Sequence, residues 1–365
     1  MSDPRQLDVV ILGLSITSSW GNGHATTYRS LVRGLASRGH RVRFLERETP
    51  WSSSTRDLLR SPHCEIWLYQ DLEALRARAE EVRAADLVML GSSVPDGTEA
   101  AKWVLDTAHG VTAFYDVDAP VTVRRLEDGC CAYLDADQIP SFDLYLSANG
   151  GPMLDRLHGE HRARRARPLY CSVDTDRYCP DPRGWPVWHV GYMGTYCADR
   201  QPGLERLLLE PARRRPRNRF LVVGSKYPAG CEWPANVRRV DHLAPVQHAL
   251  FYNSQRFTLD LTRDATRRAG WSPSVRLFEA AACATPVIGD PWPGIETFFE
   301  EGAEILVARG ADDVVRFLEE VSDEERRAIG ERARMRVLAE HTADHRAAEL
   351  ERYVAEARTS HEAVA

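Results

Sequence analysis

Short apolar runs alternate with longer amphipathic stretches along most of the chain. Residues 7–13, LDVVILG, form a nearly continuous apolar run that leads into a loop containing Gly21-Asn22-Gly23. A helical stretch follows to about residue 38, with Gly39 at its end, and an apolar run resumes at 41–45. Further runs of this kind lie at 86–91, 111–115, 143–147 and 168–171, with helical stretches such as 72–84 and 99–108 between them. Strands that are apolar on both faces and joined through helices predict a parallel sheet covered on both sides.

The periodicity stops between residues 173 and 188, where Pro180, Pro182 and Pro186 fall close together and mark a linker. The alternation then restarts, with strands expected at 187–193, 219–223, 237–240, 257–261, 286–288 and 304–307 and helices at 204–213 and 246–253. The expected organisation is a Rossmann-like α/β domain over 1–180 and a second over 181–340. A polar helix in 341–365 either packs across the domain junction or stays solvated. Two doubly wound domains facing each other place ligands at the carboxyl ends of their strands, in the crevice between them.

The bulk properties narrow the function classes. A chain of 365 residues with 43% hydrophobic and 27% charged residues is ordinary for a globular protein. A net charge of -6 gives no global basic field for nucleic acid or an anionic membrane. The run Arg162-Ala163-Arg164-Arg165-Ala166-Arg167 is accordingly read as a solvated face. None of the eight cysteines forms a Cys-x-x-Cys pair, so neither structural zinc nor a disulfide framework is expected. Reduced thiols, no charged region before the first apolar run and no apolar stretch of membrane-spanning length make a cytoplasmic protein the expectation.

The candidate chemistry lies after the strands. The segment SPSVRLFEAAACATPVIGD, residues 272–290, is the most informative. Ser272 is expected to cap a helix, Pro273 suits its first turn, and Ser274 and Val275 offer backbone N–H groups to an anion there. Arg276 and Glu279 lie three apart and share a helix face, with Glu279 one turn deeper. Amides for phosphate and a carboxylate for ribose hydroxyls suit a nucleoside diphosphate. Other cations and glycines follow successive strands: Gly194-Thr195-Tyr196 and Arg200, then Lys226 (one of two lysines), then Arg263.

In the first half, Ser15 and Gly21-Asn22-Gly23 form a candidate acceptor or phosphate loop, with His24 as a candidate polar group. The distance from Gly13 to Gly21 is too long for the tight turn of a dinucleotide fingerprint, which disfavours a nicotinamide oxidoreductase. Asp116 and Asp118 follow a strand; together they suit a divalent metal, Asp118 alone suits an acceptor hydroxyl, and an Asx turn before Pro120 is the structural alternative.

The order of the strand–glycine loop, DVDAP, GYMGTY-x-x-DR and SPSVRLFEAAACATPVIGD resembles the CgeB-like (spore maturation protein CgeB) glycosyltransferases. These are of the GT-B class and related to the retaining group-1 enzymes. The resemblance spans roughly residues 7–340, and RLFEAAACATPVI is its most specific piece. It implies two Rossmann-like domains, a nucleotide-sugar donor on the C-terminal one, an acceptor on the N-terminal one, and no bound metal or other cofactor. Group-1 enzymes carry two glutamates eight apart at the donor. Glu279 matches the second, the ribose ligand, whereas Trp271 stands where the sugar-contacting acid would be. Arg200 and Lys226 fall at the diphosphate cations, and His242-Leu243 where backbone groups meet the base.

The resemblance therefore implies a metal-independent transferase using a UDP- or dTDP-sugar with retention of configuration. Asp118 would then orient the acceptor; with inversion, Asp118 or His24 would serve as base. The acceptor stays open among glycan, metabolite, protein and nucleobase. An epimerase or hydrolase of nucleotide sugars and a non-catalytic coat or scaffold protein are the alternatives.

Overall fold

Residues Val9 to Leu12 are wholly buried in the middle of a seven-stranded parallel sheet. The computed structural model of the chain describes residues 6–362. The strands are β1 (Asp8–Gly13), β2 (Arg41–Arg47), β3 (Glu65–Tyr69), β4 (Leu87–Gly91), β5 (Val111–Asp116), β6 (Leu144–Ser147) and β7 (Ala166–Pro168). Their order is β3-β2-β1-β4-β5-β6-β7, so the winding reverses between β1 and β4. Glycines end both strands at that point. A Cβ on Gly91 would stand 1.8 Å from the Tyr28 hydroxyl, and one on Gly13 would stand 2.3 Å from the Phe44 ring. Without side chains there, Tyr28 packs edge-on against both Phe44 and Tyr115 in the core.

A second parallel sheet contains β8 (Trp188–Met193), β9 (Phe220–Val223), β10 (Val237–Val240), β11 (Gln255–Asp260), β12 (Val287–Gly289) and β13 (Leu306–Val307). Its order is β10-β9-β8-β11-β12-β13, with the reversal between β8 and β11. Val190, Phe220, Val222, Phe257 and Leu259 form its core with Leu207, Leu208 and Phe317 from the covering helices. The helical stretch expected at 204–213 contains Pro211, which has no N–H to continue the ladder; a π turn at Glu205–Leu209 absorbs the defect before Glu210–Arg214.

The chain divides into two compact units, Met1–Ser172 with Ala343–Ala365, and Val173–Thr342. The division at 172/173 falls eight residues before the expected boundary at 180. The closing helix Ala343–Glu362 belongs to the first unit. It is polar on most positions, yet Ala347, Leu350, Tyr353, Val354 and Ala357 enter the first core. Glu351 receives Arg38 through Nε and Nη2 at 2.6 and 2.7 Å and lies 2.6 Å from His40 Nε2, while the Tyr353 hydroxyl donates to Pro168 O at 3.1 Å. No described helix is long and apolar enough to cross a membrane.

Two local expectations need correction. The strand expected at 168–171 is Ala166–Pro168, and Leu169 N closes its ladder by donating to Ser147 O at 2.7 Å. The single helix expected at 72–84 is two short ones, Leu72–Arg76 and Ala79–Ala84.

Candidate functional site

In the Val173–Thr342 unit, the predicted donor residues lie at the carboxyl edge of the sheet: Gly194, Tyr196 and Arg200 after β8, Lys226 after β9, His242 and Leu243 after β10, and Arg263 after β11. The crossover from β11 to β12 carries Ser272 to Glu279 on the same edge.

The helix there is Val275–Ala282, and its cap is Ser274, which corrects the expectation for Ser272. Ser274 keeps an extended backbone, with φ -75° and ψ 151°, so the first helical residue is Val275. Ser274 Oγ accepts from Leu277 N at 3.3 Å and donates to Asp260 Oδ1 at 2.9 Å. Val275 and Arg276 open the helix with amides that its own ladder does not take.

Arg276 turns back into the fold. Its guanidinium donates to Met193 O at 2.8 Å and Leu261 O at 3.2 Å and pairs with Asp260 at 3.0 Å. It thus ties the helix start to the ends of β8 and β11 and does not project as a free phosphate ligand. Asp290, after β12, accepts from Thr262 N at 3.0 Å; burial, and then the nearby Asp260 charge, push its carboxyl up to about 6.

Glu279 is 2% exposed. The Tyr252 hydroxyl donates to its Oε2 at 2.7 Å, while the Tyr178 hydroxyl stands 3.3 Å from His248 Nδ1. Burial, and then the Glu279 charge, hold the Tyr252 phenol well above its usual range, so it remains a donor and orients the acid. This contact is invisible locally, because Tyr252 comes 27 residues earlier in the chain.

The β8 and β9 loops touch. A Cβ on Gly224 would stand 2.0 Å from Gly194 O, so this position needs glycine. Tyr227 donates to Gly194 O at 3.1 Å and packs edge-on against Tyr196 and Trp233. Arg239, which the sequence reading passed over, lies 4.7 Å from the centres of both the Tyr227 and Trp233 rings. Arg200 donates to Thr195 O at 2.9 Å. Lys226 has φ 66°, unusual for a side chain of its size, and no described group pairs with its exposed ammonium. Arg263 precedes the helix Asp264–Ala269, and its carbonyl accepts from Arg267 N at 2.7 Å. Leu243 O receives His248 Nε2 at 3.2 Å.

In the first unit, the loop after β1 binds an anion that the protein itself supplies. Glu46, at the end of β2 and fully buried, accepts from Ser15 Oγ at 3.0 Å, Ile16 N at 2.7 Å, Thr17 N at 2.9 Å and Thr17 Oγ1 at 2.6 Å. Ser15, predicted to meet an acceptor or phosphate, is therefore a structural ligand of Glu46. Gly21 takes a left-handed φ of 60°, Asn22 caps the helix Gly23–Ser37 through His24 N at 3.0 Å, and His24 stands in its first turn.

The Asp116–Asp118 pair resolves as the Asx alternative. Asp116 is buried; its carboxylate accepts from Thr122 Oγ1 at 2.8 Å, Tyr145 Oη at 2.6 Å and Asp118 N at 3.1 Å. Burial raises it to about 6 despite those bonds. Both of its oxygens are taken by these donors, and the side chain is fully buried. Asp118, half-buried, caps the helix Ala119–Glu127 with its backbone.

Residues 200–352 match the protein family described as "Glycosyl transferase-like". No curated protein matches the sequence. A sucrose-phosphate synthase from Thermosynechococcus elongatus superposes with a TM-score of 0.70 at 16% identity, over 98% of this chain and 100% of that one. Anabaena HepE in complex with UDP and glucose gives 0.71 at 11% identity, over 96% and 100%. An alpha-glucosyltransferase in complex with UDP and a 13-mer DNA containing an HMU base gives 0.73 at 12%, over 96% and 100%. The chain has the GT-B fold of two Rossmann-like units, and the glycosyl transferase-like match covers most of its second unit and the start of the closing helix.

Proposed function

We propose that the protein moves a sugar from a nucleoside-diphosphate sugar, UDP-linked in preference to dTDP-linked, in the manner of the CgeB-like transferases, with retention and without a bound metal. The observation that carries this reading is the helix start at Ser274–Arg276 standing over Glu279, on the sheet edge that also bears Lys226. Two of the structural neighbours described above were solved with UDP, which favours uridine as the base.

In this reading the diphosphate meets the amides of Val275 and Arg276, with Lys226 and Arg200 as cations. Glu279, oriented by Tyr252, accepts from the ribose hydroxyls. The bond between the anomeric carbon and the phosphate oxygen breaks while the acceptor oxygen bonds to that carbon on the same face. The departing diphosphate takes the acceptor proton, so Asp118 need only orient the hydroxyl. Helix amides and fixed cations stabilise the charge that develops on the diphosphate.

Calorimetry and thermal shift with UDP, dTDP, GDP and ADP, each with and without EDTA, test the proposal. A nucleotide at 100 times its Kd stabilises the protein by about 2.7 kcal/mol. UDP should give the shift, EDTA should leave it intact, and Lys226→Ala should weaken it. If no nucleotide binds, or if Lys226→Ala binds UDP as tightly as the parent, the site assignment fails. If EDTA abolishes binding, metal independence fails.

A further inference from the structure

At the end of the second sheet remote from the site above lies a cavity of about 190 Å³. Its walls come from the amino ends of β8, β9 and β11, the preceding linker and the first turn of the helix Asp323–Glu340. With β8 six residues long at about 3.3 Å per residue, it lies roughly 20 Å from the β8 loop. That is beyond the screening length of about 8–10 Å, so the two ends act as separate electrostatic sites.

Four arginines and one carboxylate line this cavity. Asp323 serves two of them, pairing with Arg256 at 2.7 Å and with the buried Arg326 at 3.3 Å. Neither the Arg219 nor the Arg327 guanidinium has a hydrogen bond or ion pair to any described group, and both are exposed. His189 Nδ1 accepts from Arg219 N at 3.0 Å, which leaves the Nε2–H of the neutral ring as a further donor. The exposed Trp185 and half-buried Trp188 supply flat apolar wall beside these donors.

We propose that this cavity is a second anion site, which takes a phosphate group either as free phosphate or as a small monoester. Four guanidiniums against one carboxylate in a concave site favour a dianion that accepts from several donors at once. The volume is below the ~300 Å³ at which drug-sized pockets begin, so it suits one phosphoryl group and not a dinucleotide. The positive surplus also shows in the neighbours: burial, and then the charges of Arg256, Arg219 and Arg215, hold His189 below its usual range. The inference does not depend on the transferase reading, because the two sites share no residue.

The test is calorimetric titration of the full chain with inorganic phosphate, and separately with phenyl phosphate, at constant ionic strength. The parent, Lys226→Ala and the double variant Arg219→Ala/Arg327→Ala are compared. Saturable phosphate binding should survive in Lys226→Ala. It should weaken by about tenfold or more per guanidinium removed in the double variant. Tighter binding of phenyl phosphate than of phosphate would identify an aromatic monoester as the ligand; equal binding would identify free phosphate. The proposal is overturned if phosphate does not saturate, if the double variant binds like the parent, or if Lys226→Ala alone abolishes binding. Both replaced arginines are exposed, so circular dichroism of the double variant should match the parent and confirm that the fold persists.

Discussion

Glu46→Ala and Glu46→Gln should differ sharply in their effect on the first unit. The carboxylate accepts two backbone amides, Ile16 and Thr17, and two hydroxyls, Ser15 and Thr17, with no exposure to water. Alanine leaves both amides buried without an acceptor. At about 1–3 kcal/mol for each orphaned group, the amides alone set the cost at about 2–6 kcal/mol. Glutamine keeps one oxygen for the amides, and its NH2 can donate to the hydroxyls once they rotate, so its cost should be about 1–2 kcal/mol. With a urea slope of about 1–3 kcal/mol per molar, the alanine midpoint should fall by about 1 M or more. Urea unfolding followed by circular dichroism reads the difference, and amide exchange at Ile16 and Thr17 localises it. Inorganic phosphate should partly restore the alanine variant, because a free anion can occupy the same amides. Equal losses in the two variants, or an alanine loss below about 1 kcal/mol, would refute the reasoning.

Three other outcomes follow from the same geometry. Glu279→Gln preserves an acceptor for Tyr252 and should keep the parent melting temperature while weakening UDP about tenfold or more by calorimetry; parent-like UDP binding would remove Glu279 from the donor site. Asp290 is raised to about 6, above the ~3.9 of an unfolded chain, so the folded state holds its proton more tightly and the stability this provides is lost as pH rises from about 4 to 6. Asp290→Asn should therefore gain on the parent by about 3 kcal/mol between those limits in urea midpoints taken at pH 4, 5, 6 and 7, and a parallel pair of profiles would contradict the shift. The buried Tyr28 hydroxyl has no hydrogen-bond partner and sits where a Gly91 Cβ would be, so Tyr28→Phe should be neutral or stabilising and should relieve about 1–3 kcal/mol of the cost of Gly91→Ala in a double-mutant cycle, whereas strict additivity would show the two to be uncoupled.

What the sequence disclosed and withheld follows from range. Wholly buried parallel strands show in the sequence because their apolar runs are continuous, as in β1 and β4. The edge strand β3 was not anticipated: EIWLY is half-exposed, begins with a glutamate and leaves Leu68 41% exposed, so it has no unbroken apolar signal. The anion-suited helix start after β11 was legible from Ser-Pro-Ser, but the cap is Ser274 and not Ser272, with its hydroxyl held by Asp260 from 14 residues earlier in the chain. The roles of Glu46, Tyr252 and Arg276 depend on partners far away along the chain and have no local signature. Arg276 shows the general difficulty: composition marks a cation near a phosphate-suited turn, while Asp260 and two carbonyls claim it for the scaffold.

The closing helix makes the second unit an insertion within the first. Val173 and Thr342, the two ends of that insertion, form a parallel bridge, and Val173 N donates to His341 O at 3.2 Å. A segment whose ends meet in this way can be lifted out as a cassette without drawing a loop through either core. Residues 173–342 expressed alone therefore retain both ends of their own contact map, while the flanking pieces must find each other through Glu351 and the apolar stripe from Ala347 to Ala357. A stop after Thr342 would damage the half of the protein farthest away in sequence.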